Sequence, residues 1–251
     1  MTVHRTAATG YDRVADAYEL GRPGYPSIAV SWLGDRLGLT TGATLVDLGP
    51  GSGQLTRLLA QTAARVVAVE PVEAMREKLR DIPGVEVMAG TGADIALPDA
   101  SIAAITVANA FHWFATEDAL LEMTRVLEPG GRIGLVWNRR DKSQSLQQAL
   151  TALVEPYRVD EPSYASMDWR QVVDSSPLFS IVEEATFENL HATTVDGVVA
   201  RVLSTSFIAA LPTSEQEKVL AQARELAFAE PQPITLRYFT DAYLLVSTGH
   251  A

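Results

Sequence analysis

Two short stretches carry residues whose types and spacing could do chemistry. VDLGPGSGQLT, Val46 to Thr56, sets Gly49, Gly51 and Gly53 at alternate positions behind the acid Asp47, between a β-branched run and a segment of helical spacing. Bare backbone at a strand-to-helix turn admits close approach by a ligand, and the helix N-terminus beyond it favours polar or anionic groups. Glu70 closes the next β-branched run, RVVAVEP, where a carboxylate can accept hydrogen bonds from both hydroxyls of a ribose. Gln54 stands where a dinucleotide fingerprint has its last glycine, so the pattern is G-x-G-x-G and a pyrophosphate ligand is disfavoured.

The second stretch is ANAFHWF, Ala108 to Phe114, in which an asparagine and a histidine stand among aromatics directly after the run SIAAITV. If that run is a strand of an open parallel sheet, its carboxyl end opens on the ligand crevice, where the strand order reverses. Asn109 then ends the strand and can offer its carbonyl or its side chain. His112 follows one turn on, with Phe111, Trp113 and Phe114 able to wall an apolar pocket. Three roles stay open for His112: general base, ligand contact, or packed structural residue. The other histidines, His4, His191 and His250, belong to no motif.

Composition narrows the field. The 251 residues suit one large domain, and 47% apolar with 20% charged residues is an ordinary globular balance. With no cysteine, disulfides, thiolate metal sites and cysteine nucleophiles are excluded, and no metal is expected. A net charge of -11 argues against a nucleic-acid partner. No apolar run approaches the ~18 residues a membrane span needs, and MTVHRTAATG lacks an apolar core and a cleavage site. No membrane association is expected, and a cytoplasmic protein is the default. Oligomeric state cannot be read from the residues.

The elements that must position these groups follow from periodicity. From 43 to 138, short β-branched runs alternate with helically spaced segments, the pattern of βαβ units on a parallel sheet. ATLVDLG, RVVAVEP, GVEVMAG, SIAAITVAN and RIGLVWN are the expected strands, with EPGG a turn before the last and Thr116 a helix cap. Residues 139–175 read as a polar helical excursion over the sheet rather than core. SIVEEATFENL, within 180–190, and ITLRYFTDAYLLVS, within 233–247, are expected to close the sheet as an antiparallel pair, with Leu236, Tyr238 and Tyr243 on the buried side. Between them, 194–228 predicts two amphipathic helices, the second opened by a capping box from Ser214 to Glu217. The fold class is thus α/β, a doubly wound, seven-stranded, mostly parallel sheet with helical lid insertions, in one domain over 1–251.

Four motifs in order, VDLGPGSG, VVAVEP, GADIALPDAS with ANAFHW, and LEPGGRIGLVWN, resemble the class I S-adenosylmethionine-dependent methyltransferases, which have a Rossmann-like fold. The opening YDRVADAYELGRPGYP and the closing ITLRYFTDAYLLVS are similar to the small-molecule branch that includes trans-aconitate methyltransferase-like proteins. The resemblance implies S-adenosylmethionine as cofactor, S-adenosylhomocysteine as product and a small organic acceptor, with O-methylation favoured. It implies that Asp47, Gly49, Gly51 and Gly53 lie along the methionine and ribose, and that Glu70 binds the ribose hydroxyls. Pro71 and Met75 would flank the adenine, although Met75 also reads as helix core. Ala93 and Asp94 would meet the adenine edge, Asp94 reading equally as a solvated loop acid, and Asn109 would meet the α-amino group. Residues 1–37 would form a lid that brings Tyr18 and Arg22 to the carboxypropyl end. This lid could also be a plain packing helix, since Tyr11, Val14, Ala15 and Tyr18 share one face. A carboxylate acceptor would want a guanidinium clamp, for which Arg139, Arg140, Arg201 and Arg237 are candidates that spacing does not separate. Two other readings keep the cofactor loop: binding of S-adenosylmethionine without methyl transfer, as a cyclase or binding module, and a nicotinamide-dependent oxidoreductase, which Gln54 disfavours.

Overall fold

The computed structural model describes residues 17–62, 64–158 and 163–248. Tyr11, Val14 and Ala15 of the expected lid face, with His4 and His250, lie outside them.

The β-branched runs form strands where the alternation placed them: β1 Thr44–Leu48, β2 Arg65–Val69, β3 Val85–Met88 and β4 Ile102–Ala108. β5 spans Leu127–Arg140, β6 Phe179–Thr193 and β7 Ile234–Ser247. They make one seven-stranded sheet in the order β3-β2-β1-β4-β5-β7-β6. β1 to β5 pair in parallel, while β7 lies antiparallel between β5 and β6. The order therefore reverses between β1 and β4, which opens a crevice at their carboxyl ends. The expected EPGG turn is instead taken into β5, whose pairing with β4 shifts register between Ile102 and Ala104. One irregular stretch thus serves as both turn and strand entry.

Helices cover both faces. On one face, α1 (Ser27–Leu37) and α2 (Thr56–Leu59) set Leu33, Leu37, Leu55 and Leu59 against Leu45, Val66, Ala104 and Val136. α3 (Glu73–Arg80) sets Leu79 against Ala68. On the other face, α4 (Glu117–Val126) buries Leu120, Met123 and Val126 against β1, β4 and β5, and Thr116 caps it by accepting from the Ala119 amide at 3.2 Å. The excursion over 139–175 contains α5 (Ser145–Val154) and α6 (Asp168–Ser175). It is not merely a cover. Trp169 and Val173 of α6 are buried in the main core, so this polar stretch holds two of its anchors.

Residues 194–228 fold as three helices rather than two: α7 (Val195–Leu203), the single turn α8 (Ser206–Ala209) and α9 (Thr213–Phe228). α9 begins before the expected capping box, since Pro212 is its cap residue and Ser214 already lies inside. The fixed φ of proline pre-organises that entry without a side-chain bond. α5, α7 and α9 form a second small core with Ile234, Leu236 and Tyr238 of β7. Tyr243, an odd number of positions along from Leu236 and Tyr238, points to the opposite face and packs beside Trp169. β7 is therefore covered on both sides.

Candidate active site

Gly49, Gly51 and Gly53 sit just past β1 with φ of 66°, 57° and 85°. Only glycine takes three left-handed conformations in five residues at little cost, which is why this turn can curl under a ligand. The three are not equivalent. A Cβ on Gly53 would lie 2.6 Å from Ile82 and 2.9 Å from Leu79, so this glycine lets α3 and its following loop pack close and does not face the crevice. A Cβ on Gly51 would face the Tyr18 ring at 3.9 Å, which sets Tyr18 over the loop.

Asp47 was expected along the ligand, but its side chain stands beneath the loop. It is 0% exposed, and its two oxygens accept from the Thr56 hydroxyl at 2.6 Å and the Thr106 hydroxyl at 2.9 Å. Register explains the second bond, since Thr106 of β4 is the direct partner of Asp47 on β1. Burial raises its pKa to about 6, against the opposing pull of the two hydroxyls. Asp47 therefore ties β1, β4 and α2 together under the glycines.

Glu70 ends β2 with each carboxylate oxygen on one backbone amide, Oε2 on Gly51 and Oε1 on Val72, both at 3.0 Å. Burial raises its pKa while these amides and Arg76 pull it down. A carboxylate offers about four lone-pair positions, so two remain for a pair of hydroxyls. The arrangement fits a ribose. Pro71 is half-buried beside it, and its carbonyl accepts from Arg76 at 2.7 Å. Met75 is 2% exposed and belongs to the buried side of α3 with Leu79, as the helix-core reading expects. The Ala93–Asp94 loop is a tight turn in which Thr91 and Asp94 exchange backbone bonds at 3.0 and 3.2 Å. Asp94 is exposed at its rim.

Asn109 takes φ 52°, a left-handed turn that ends β4. Its side chain is anchored at both ends: Nδ2 donates to the Tyr25 hydroxyl at 2.7 Å and Oδ1 accepts from the Asn138 amide at 3.0 Å. One N–H and one lone pair of the amide remain, and the backbone carbonyl is a further acceptor for a ligand. Phe114 lies over both flanking loops, since a Cβ on Gly92 would meet its ring at 2.3 Å and one on Gly49 at 3.6 Å.

His112 accepts at Nδ1 from the Trp137 indole, 3.1 Å away. An indole nitrogen is only a donor, so in the neutral imidazole the proton sits on Nε2. Burial, then the charge of Arg22, lower its pKa to about 4. His112 thus stands in the crevice as a neutral donor with no free lone pair, and the general-base role expected as one of three is not available in this geometry. Trp137 in turn stacks on Tyr164 at 4.9 Å and lies against Trp169 at 4.6 Å, so the excursion between β5 and β6 fixes the tautomer.

The segment from 17 to 25 crosses this crevice as a strap. At one side, Glu19 pairs with Arg57 at 3.2 Å and its carbonyl accepts from Gln54 at 3.3 Å. At the other, Gly21 lies directly on α7, where a Cβ would be 2.2 Å from the Arg201 backbone nitrogen. Arg22 donates to the Ser204 hydroxyl and carbonyl at 3.2 and 2.9 Å, and its guanidinium lies 4.7 Å from the Tyr18 ring centre. The Asn138 and Asn189 side chains then hold the Gly24 carbonyl at 3.0 and 2.8 Å. Tyr25, Trp137, Asn138 and Asn189 were missed from sequence. Asn138 gave the same signal as Asn109, a polar residue closing an apolar strand, whereas Asn189 sits in an alternating strand and gave none.

Known proteins resemble this chain over most of its length. A methyltransferase-domain family model matches residues 46–135, which hold the glycine loop, Glu70 and His112. An uncharacterized methyltransferase-like protein of Schizosaccharomyces pombe is 35% identical over 221 residues, covering 87% of this chain and 86% of the relative. An uncharacterized methyltransferase of Mycobacterium tuberculosis is 34% identical over 229 residues, covering 90% and 89%. Among solved structures, a proposed type II methyltransferase from Anaeromyxobacter dehalogenans superposes with a TM-score of 0.69 at 24% identity, covering 92% of this chain and 99% of that one. The chain belongs to the class I S-adenosylmethionine-dependent methyltransferases.

Proposed function

We propose that this protein transfers a methyl group from S-adenosylmethionine to an oxygen of a small organic acceptor. The observation that carries the reading is the strap, which is bonded to the glycine loop on one side and to α7 and β6 on the other. A site bridged in this way suits an acceptor small enough to be enclosed and kept from water.

The cofactor, when bound, supplies an electrophilic methyl on a sulfonium. The Gly49 and Gly51 backbone, Glu70 and Pro71 would hold its nucleoside, and Tyr18, Arg22 and the Asn109 carbonyl would hold its amino-acid end. The rest of the work is alignment, in which an acceptor oxygen must lie ~3 to 3.5 Å from the methyl carbon. His112 Nε2–H can orient that acceptor by donating, but it cannot take a proton from it while Trp137 occupies Nδ1. This favours acceptors that arrive already ionised, and a carboxylate is ionised at neutral pH whereas a phenol or ammonium is not deprotonated.

The test is tritiated methyl transfer to a panel of small acids, phenols and amines, with the product then treated with alkali. A carboxyl methyl ester releases volatile tritiated methanol. Alkali-stable transfer to a phenol would keep O-methylation and remove only the carboxylate preference, whereas transfer only to amines or to macromolecules would overturn the reading.

A further inference from the structure

Of the four arginines that sequence left equal as acceptor clamps, two are spoken for. Arg139 pairs with Asp241 at 2.7 Å, and Arg237 lies 3.4 Å from Asp141. Arg140 and Arg201 are different. Among the described residues neither has a carboxylate within ion-pair distance; Arg140 bonds the Thr151 hydroxyl at 3.2 Å, and Arg201 bonds the Thr205 hydroxyl at 3.4 Å with the Tyr238 hydroxyl beside it. Arg201 is 9% exposed, and its Nε is buried with no partner. Burial, then the charges of Arg22 and Arg140, disfavour the charge on Arg201, and burial with the charges of Arg22 and Arg158 does the same to Arg140.

Burying like charges together without a counter-charge is costly, by several kcal/mol per ion before relaxation. Folded proteins seldom keep such a cluster unless something anionic completes it. Two further groups point the same way. The Tyr238 hydroxyl and His191 Nε2, with their rings 6.4 Å apart, are also buried with no partner in good hydrogen-bond geometry, the Tyr238 hydroxyl lying beside Arg201 and Gln147. Burial would raise the Tyr238 pKa, yet Arg201 and Arg140 bring it below its usual value, which shows how positive this corner is. Four side chains from β5, α7, β6 and β7 thus converge on one unsatisfied, cationic spot. It adjoins Arg22, whose ring partner Tyr18 overhangs Gly51, so it lies beside the expected amino-acid end of the cofactor.

Resting on the methyltransferase reading above, we propose that Arg140 and Arg201, with the Tyr238 hydroxyl and His191, bind a carboxylate of the acceptor, making the substrate a small polycarboxylic or otherwise anionic acid. Guanidinium forks match a carboxylate bidentately, and the phenol and imidazole can donate to the remaining lone pairs. Arg22 stands between this subsite and the cofactor.

Calorimetry on the full chain separates the two parts. S-adenosylhomocysteine is titrated first, and tricarballylate is then titrated into the saturated complex, with tricarballylamide as the neutral control. The expected result is tricarballylate binding that weakens with added salt, no amide binding, and at least a tenfold loss of tricarballylate affinity in Arg140→Met, Arg201→Met and Tyr238→Phe. S-adenosylhomocysteine affinity should stay within twofold in all three. Tyr238→Phe removes a single oxygen and so guards against loss of fold, and Arg201→Lys should restore part of the affinity. If S-adenosylhomocysteine binds and tricarballylate does not, or the variants bind the acid as well as the wild type, the subsite is refuted while the methyltransferase reading stands. If the variants lose S-adenosylhomocysteine instead, the cluster serves the cofactor and the proposal is wrong. Failure of S-adenosylhomocysteine to bind the wild type would fell the underlying reading first.

Discussion

At the scale of single residues, protonation decides what the site can do. His112 is held neutral, with its pKa lowered to about 4 by burial and by Arg22. An imidazole with a folded pKa below its unfolded one adds stability that is full above pH ~6.5 and is lost as the pH falls through ~4. Turnover should therefore show no inflection from this group between pH 6 and 8. Titration of the His112 ring by NMR should give a midpoint far below 6.5, and a midpoint near the ordinary value would restore the general base. Asp47 shifts the other way. Its pKa is raised to about 6, so its contribution is full below ~3.8 and is lost as the pH rises through ~6. A shift of this size corresponds to about 3 kcal/mol at neutral pH. Asp47→Asn should match the wild type near pH 4 and become the more stable protein by up to that amount at pH 7.5, as read from urea midpoints. It should also bind S-adenosylhomocysteine more weakly, because an amide cannot accept from both Thr56 and Thr106. A wild type more stable than the variant at pH 7.5 would contradict this account of the buried acid.

At the scale of elements, the strap and the excursion set the site's shape. Gly21 has no room for a side chain against the α7 backbone, and Arg22 is aimed by that contact. Gly21→Ala should lift the strap off α7 and raise the dissociation constant for S-adenosylhomocysteine about tenfold, while circular dichroism and the denaturation midpoint stay near wild type, since Gly21 lies outside the core clusters and only Tyr25, at the far end of the strap, packs on one. An unchanged affinity would show that the cofactor does not depend on a docked strap. The same scale shows where sequence reading stops. Strands were legible because Val, Ile and Leu alternate over short runs bounded by glycine, acid or proline, and the Thr116 cap because its hydroxyl acts within one turn. The role of Trp169 was illegible, because a lone tryptophan in a polar stretch says nothing about the Trp137 ring it will meet. Met75 and Gly53 had the right types in the right motif, and local helix packing also uses both.

At the scale of the whole molecule, a chain of net charge -11 keeps a cationic corner inside itself. The surface field repels an anionic ligand at long range, so the attraction must come from the desolvated guanidiniums, where screening is weak. Strap, glycine loop, β2 and α7 come from distant parts of the chain, and a cofactor that touches them links them. Saturation with S-adenosylhomocysteine at a hundredfold its dissociation constant should add about 2.7 kcal/mol, raising the melting temperature by roughly 5 to 10 °C. NADH should leave it unchanged. A rise with NADH alone would revive the nicotinamide reading.

By themselves the residues determined the strands, the glycine turn and the carboxylate that closes β2, because each of these depends on contacts within one βαβ unit, and the alternation of strands and helices placed the crevice after β1 and β4. Tertiary structure alone decided that Asp47 bonds Thr56 and Thr106 beneath the loop, that Trp137 takes the histidine's lone pair, and which two of four arginines are left without a carboxylate among the described residues. Those outcomes depend on partners from other elements, such as Thr106 for Asp47 and Trp137 for His112, and a side chain's charge state and free lone pairs are set by whatever the fold brings against it.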